Sequence, residues 1–193
     1  MYELLSKLKK LVLYELNKFI RPQMVGGFKR NDGVILRKTR ISNCAFLESK
    51  EMLYIEDHVF IGHFTFIDAS RGLKIEEGCQ ITSFVSIATH SSHISMRLYG
   101  EHYTSQSEHK AYITGPVTIG KYTFIGSFSL IMPNTTIGKG CLVTPFSYVR
   151  GNFPDFSIIG GNPARIIGDT RLQDNEYLDE YPELRNFYEK WAK

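Results

Sequence analysis

Six histidines are the side chains best suited to moving a proton near neutral pH: His58, His63, His90, His93, His102 and His109. His90 and His93 stand together in "THSSH", and either can serve as a base. His102 and His109 lie deeper in the same stretch and suit contacts to an acceptor better. His58 and His63 fall at turn or surface places, where a structural role is the plainer reading. A histidine that takes a proton from a hydroxyl needs a partner for its other ring nitrogen. Glu101 and Glu108 are the nearby carboxylates in sequence. The three cysteines, Cys44, Cys79 and Cys141, are far apart and form no Cys-x-x-Cys pair, which argues against a structural zinc or a dithiol redox site. Their odd number suits a reducing compartment. No glycine-rich phosphate loop of the nucleotide-hydrolysing or dinucleotide type is present.

The elements that must position these residues follow a period of six. Ile55, Ile61 and Ile67 are six apart, as are Ile75, Ile81 and Ile87. Ile119, Ile125, Ile131, Ile137, Val143 and Val149 hold the same step. The residue after the aliphatic is often glycine (Gly62, Gly120, Gly126, Gly138), and the fifth place is often small, as at Thr65, Thr123 and Ser129. Cys79 and Cys141 occupy that fifth place and read as small core residues. One unit supplies a short strand and a turn, with the aliphatic pointing inward; glycine is expected to permit the turn. Units stack into coils because one alone cannot bury its apolar face. The pattern predicts an all-β solenoid and excludes a helical bundle. Two breaks interrupt it. Ile67 to Ile75 is eight residues, which predicts a bulge around Ser70–Gly72. Far larger is the loss of period from His90 to Thr114, restored at Pro116–Val117; a loop of that length in a repeat protein usually builds a site.

The ends differ in charge. Residues 1–40 carry ten Lys and Arg against Glu3, Glu15 and Asp32, whereas residues 169–193 carry seven acidic residues against Arg171, Arg185, Lys190 and Lys193. The net charge of +3 is too small to argue for a nucleic-acid partner. Leu4, Leu5, Leu8, Leu11, Val12, Leu16, Phe19 and Ile20 fall at helical spacing before Pro22. Residues 1–22 are therefore expected to be an amphipathic helix that docks on the solenoid or a neighbouring subunit. The alternative is peripheral contact of residues 1–20 with the inner face of a membrane, since no run has the apolar length to span one. Residues 169–193 read as a helical tail interrupted at Pro182, docking through Tyr177, Tyr181, Phe187, Tyr188 and Trp191. The expected location is cytoplasmic.

Four segments, "VFIGHFTFIDASRGLKIEEG", "VSIATH", "GPVTIGKYTFIGSFSLIMPNTTIGKG" and "FPDFSIIGGNPARIIG", occur in that order. With them the chain resembles the hexapeptide-repeat acyltransferases, and within these the maltose/galactoside-type and polysaccharide O-acetyltransferases. The resemblance implies a left-handed parallel β-helix over residues 34–168, with an excursion loop over 90–116. It also implies a homotrimer with sites between subunits, and acetyl-CoA as co-substrate with no metal. The implied reaction is acetyl transfer to a sugar hydroxyl of a polysaccharide precursor in surface-polysaccharide synthesis, with His90 as base and His93 as the alternative. Gly126 and Ser127 resemble the stretch that stabilises the oxyanion. Ser127, Thr144 and Pro145 resemble the track of the CoA arm, although "VTPFS" departs from the commoner Gly-Ala-Gly-Ser turn. Arg165, in the closing signature Gly161–Arg165, and Arg171 would meet the CoA phosphates. Asp68 lies in a segment resembling the acceptor side, and Arg97 is similar to a basic residue following the family's histidine. The rival readings are an amino-sugar or antibiotic N- or O-acetyltransferase of the same fold, and a non-catalytic or zinc-dependent solenoid, which would need three histidine ligands.

Overall fold

Three faces of short parallel strands wrap one aliphatic axis in the computed structural model, which describes residues 2–193; of residues 2–4 and 18–20 only the backbone is described. On the first face Arg40–Ile41, Phe60–Ile61, Gln80–Ile81, Phe124–Ile125, Leu142–Val143 and Ile158–Ile159 pair in that order, all parallel. The second face stacks Phe46–Glu48, Phe66–Asp68, Ser86–Ile87, Leu130–Ile131 and Tyr148–Val149. The third stacks Leu53–Ile55, Leu73–Ile75, Val117–Ile119, Thr135–Ile137 and Asn152–Phe153. Ile61, Ile67, Ile75, Ile81, Ile87, Ile119, Ile125 and Ile131 are all 0% exposed on the axis. Each such burial contributes roughly 1.5–3 kcal/mol. An antiparallel pairing of Met24–Lys29 with Ile35–Ser42 covers one end of the first face. Pairing of Ser157–Gly161 with Ala164–Asp169 covers the other, so the parallel stack of this face is capped at both ends by an antiparallel strand.

The repeat starts earlier than Ile55. Ile41 and Leu47 are rungs below Ile61 and Ile67, so the first coils are twenty residues long. The two extra residues sit at the corner from the second face to the third, at Leu47 to Ile55 and again at Ile67 to Ile75. The expected break at Ser70–Gly72 is thus a repeated feature of that corner. At the next coil the same corner is extended into the long loop. His90–Ser91 pairs antiparallel with Ile113–Thr114 and pinches the loop's neck. Between them lie helix Ser95–Tyr99 and a 3₁₀ segment Gly100–Ser105. This is the histidine corner.

The corner from the first face to the second carries Phe64, Phe84, Phe128 and Phe146, each in the left-handed region with φ of 55–63°. Their rings stack at 5.3, 4.9 and 5.0 Å between centroids. Stacking worth about 0.5–1.5 kcal/mol per pair offsets part of the backbone cost of about 1–3 kcal/mol at each residue. This is the phenylalanine corner. Glycine serves a different purpose from the one expected. Gly126 has no positive φ; a Cβ there would lie 2.6 Å from the nitrogen of Pro145 in the next coil. Glycine after the aliphatic is therefore required by the close approach of coils, while the turn itself is made by residues such as the phenylalanines.

The third corner receives the tail, helices Thr170–Glu180 and Arg185–Ala192. Trp191 packs on Tyr122, Phe156 and Tyr188 at 4.7, 5.9 and 5.2 Å. Lys139 Nζ donates to the carbonyls of Trp191, Ala192 and Lys193, closing the last helical turn. Of the five rings expected to dock, Tyr177, Tyr181 and Phe187 remain exposed. The N-terminal helix Tyr2–Ile20 forms, but its stripe does not pack on the coils: Leu5, Leu8, Leu11, Val12 and Leu16 are exposed. Leu4, Phe19 and Ile20 lie outside the described side chains. No helix among the described residues is long and apolar enough to cross a membrane.

Candidate active site

The second face ends on Asp68, one coil below Thr89 and His90. Asp68 is 1% exposed, and both its oxygens are occupied. Its Oδ1 accepts from the Ser70 N–H at 2.8 Å. Its Oδ2 accepts from the Thr89 N–H at 2.9 Å and the Thr89 hydroxyl at 2.8 Å. His90 Nδ1 lies 2.8 Å from the same Oδ2, and 3.2 Å from Ser70 Oγ. Burial works against the carboxylate's charge, but the hydrogen bonds from Ser70 and Thr89 outweigh it and hold the carboxyl at about 2. An ionised carboxylate only accepts, so Nδ1 carries a proton toward it, and in the neutral imidazole Nε2 is then the nitrogen with the lone pair. The His90 side chain is 37% exposed, and Nε2 makes no hydrogen bond among the described residues. The ring is also steadied by Tyr112, stacked at 5.7 Å and 15°. The arrangement is that of a general base with its orienting partner.

Asp68 therefore does not stand on an acceptor-facing surface, as expected; it is turned inward to hold His90. Neither Glu101 nor Glu108 fills that role. Glu101 is on the surface beside His102 at 3.7 Å, and Glu108 lines a separate cleft. His93 is exposed and bound to Ser91 Oγ at 2.7 Å, with no carboxylate partner. Arg97 lies exposed on the loop helix. Sequence reasoning missed Tyr112, Ser70 and Thr89. The eight-residue step that puts Ser70 at the corner was visible, as was the twenty-residue span from Ile55 to Ile75; the bond from Thr89 to Asp68 was not, because it depends on how the side chains of one coil meet those of the next.

The other expected site residues divide between two places. Gly126, Ser127, Thr144 and Pro145 lie at the phenylalanine corner, at the far end of the second face from His90. The Gly126 N–H is used in the ladder to Val143 O at 2.8 Å, so it is not available for an oxyanion. The Ser127 N–H makes no hydrogen bond among the described residues, and its hydroxyl meets Thr82 Oγ1 at 3.0 Å. Arg165 pairs with Gly160, where a Cβ would lie 2.6 Å from Thr144 Oγ1, so it continues the line of Ser127 and Thr144 toward the end of the solenoid. Arg171 does not join it. Its guanidinium is bound to Asp169 and lies over Phe156 at 5.1 Å, at the tail corner. Among the described residues no three His, Cys, Asp or Glu side chains are grouped to hold a metal ion.

Comparison with known proteins agrees with this fold. The pattern described as "Bacterial transferase hexapeptide (six repeats)" matches residues 109–151. A putative lipopolysaccharide biosynthesis O-acetyl transferase, WbbJ, of Escherichia coli K12 is 27% identical over 145 residues, covering 72% of this chain and 73% of that protein. The dTDP-4-amino-4,6-dideoxy-D-glucose acyltransferase of Escherichia coli is 26% identical over 65% of each chain. Among solved structures, a hexapeptide-repeat acetyltransferase of Vibrio cholerae complexed with acetyl-CoA superposes with a TM-score of 0.56. It is 25% identical and covers 65% of this chain and 64% of that one. The matches span from a fifth to about three quarters of the curated relatives' own lengths. Fold and site together define a left-handed parallel β-helix with a histidine-bearing excursion loop. More particularly, the chain is similar to the hexapeptide-repeat acyltransferases, whose repeat pattern matches residues 109–151.

Proposed function

We propose that this chain is an acetyl-CoA-dependent O-acetyltransferase that modifies a sugar hydroxyl in surface-polysaccharide synthesis. The observation that carries the reading is the Asp68–His90 pair, set at the neck of the excursion loop with Nε2 open. The relative named for lipopolysaccharide biosynthesis and the neighbour holding acetyl-CoA support the acceptor and donor classes.

In the proposed reaction His90 Nε2 removes the proton from the acceptor hydroxyl as its oxygen attacks the thioester carbonyl. Asp68 holds the imidazole in the right tautomer and stabilises the imidazolium. A free N–H stabilises the tetrahedral oxyanion, and Ser127 offers one. The C–S bond then breaks, and the proton on Nε2 passes to the departing CoA thiolate. Thr144 and Pro145 border the CoA arm, and Arg165 meets its phosphates.

His90 and Ser127 stand at opposite ends of one face, so a single chain does not assemble this site. A homotrimer completes it when the phenylalanine corner of one copy meets the histidine corner of the next. The exposed ladder supports that assembly: Phe64, Phe84, Phe128 and Phe146 are 52, 47, 52 and 70% exposed, an apolar strip that needs a cover.

The test is a panel of sugars and amino sugars incubated with acetyl-CoA, reading thiol release and locating the new acetyl group by NMR. An O-acetyl product supports the reading. An N-acetyl product moves the chain to the amino-sugar branch. Release of no thiol with any acceptor rejects the activity.

A further inference from the structure

A cleft of about 390 Å³ opens beside the base, lined by Arg71, Tyr103, Ser107, Glu108, His109 and Tyr112. Its size falls within the range of small-ligand sites. It borders the base through Tyr112, whose ring lines the cleft and is stacked on His90. The remaining wall is aromatic: His109 lies 6.1 Å from Tyr112 and 4.1 Å from Tyr103. His109 Nε2 is 2.8 Å from the Tyr103 carbonyl, which can only accept, so Nε2 carries a proton and the ring is held in place. The loop thus supplies a rigid wall.

The cleft's cation is unsatisfied. The Arg71 side chain makes no hydrogen bond or ion pair among the described residues, although Glu108 lines the same cleft. Its backbone is pinned to the base's own corner, with its N–H on Thr89 Oγ1 at 3.0 Å. Ser70, its neighbour, touches His90 Nδ1. A guanidinium so placed is suited to two-point recognition of phosphate or carboxylate.

Resting on the catalytic reading above, we propose that this cleft selects an anionic sugar. The sugar ring lies on Tyr112, its phosphate or carboxylate is held by Arg71, and its hydroxyl reaches His90 Nε2. Glu108 accepts from a ring hydroxyl. The acceptor is thus a phosphorylated, nucleotide-linked or uronic sugar in preference to a neutral one.

Binding is measured without acetyl-CoA, by calorimetric titration of glucose, glucose 1-phosphate, glucuronate and a nucleotide diphosphate-glucose, and of the matching galactose series. At least one anionic member should bind ten-fold or more tightly than its neutral parent. The best member identifies the source of the anion. Arg71→Ala should erase that preference and Arg71→Lys should keep part of it, with melting temperatures showing that both fold. In turnover, Arg71→Ala should raise the acceptor KM and move kcat by no more than about twofold. Absence of any anionic preference, including no binding at all, overturns the inference, as does a preference that survives Arg71→Ala. Because binding is read without the donor, an anion-selective cleft with no acetyl transfer would reject the catalytic reading alone.

Discussion

Asp68 has the most specific task of any side chain here, because one carboxylate ties two coils and orients His90. Replacing it with asparagine keeps the shape but removes the fixed acceptor for His90 Nδ1. Asp68→Asn is expected to lower kcat on the order of a hundredfold or more, with the KM for acetyl-CoA unchanged, as steady-state kinetics would show. A second consequence follows from its acidity. The folded carboxyl is depressed from 3.8 to about 2, so it contributes stability above 3.8 that is lost as pH falls through about 2. That contribution is worth about 2 kcal/mol. Urea titrations between pH 7 and pH 2 should show the gap between wild type and Asp68→Asn closing on the acid side. A constant gap would mean that the carboxylate's charge contributes nothing. From sequence, the base candidate was readable because His90 follows directly on a periodic run. Its partner was not, since Asp68 and His90 are 22 residues apart and meet only when one coil lies on the next.

At the scale of the element, the coil is governed by how closely neighbours stack. A methyl group at position 126 would meet the backbone of Pro145, which cannot move without disturbing the ladder. Gly126→Ala should therefore destabilise by about 1–3 kcal/mol. Ile125→Ala, which opens a cavity on the axis, should cost about 2–5 kcal/mol. Calorimetric melting would rank them, and a Gly126→Ala protein melting like wild type would refute the close-approach argument. The six-residue period made the axis legible, because Ile119, Ile125 and Ile131 must all point inward. What the period could not show was which residue turns the corner. Phe128 and Phe146 adopt left-handed backbone that sequence preference assigns to glycine or asparagine, and they are held there by stacking across coils. The helix Tyr2–Ile20 was equally legible as an amphipathic element, yet periodicity carries no information on what covers its stripe.

For the whole molecule, the two halves of the proposed site lie on different corners, so assembly and activity should be lost together. Light scattering should report three copies of the 22.1 kDa chain. Phe128→Asp, which puts a charge in the exposed ladder and removes two stacked pairs, should give folded monomers that melt at a lower temperature and show no transfer activity; an active monomer would contradict the shared site. The central claim, that His90 is the base of an acetyl transfer, is tested most directly by comparing His90→Ala and His93→Ala in one thiol-release assay with acetyl-CoA and the best acceptor. The account predicts that His90→Ala lowers kcat by about 10²–10⁴ while the KM for acetyl-CoA holds, and that His93→Ala stays within a few-fold of wild type. Full turnover by His90→Ala, or its loss in His93→Ala alone, would contradict it.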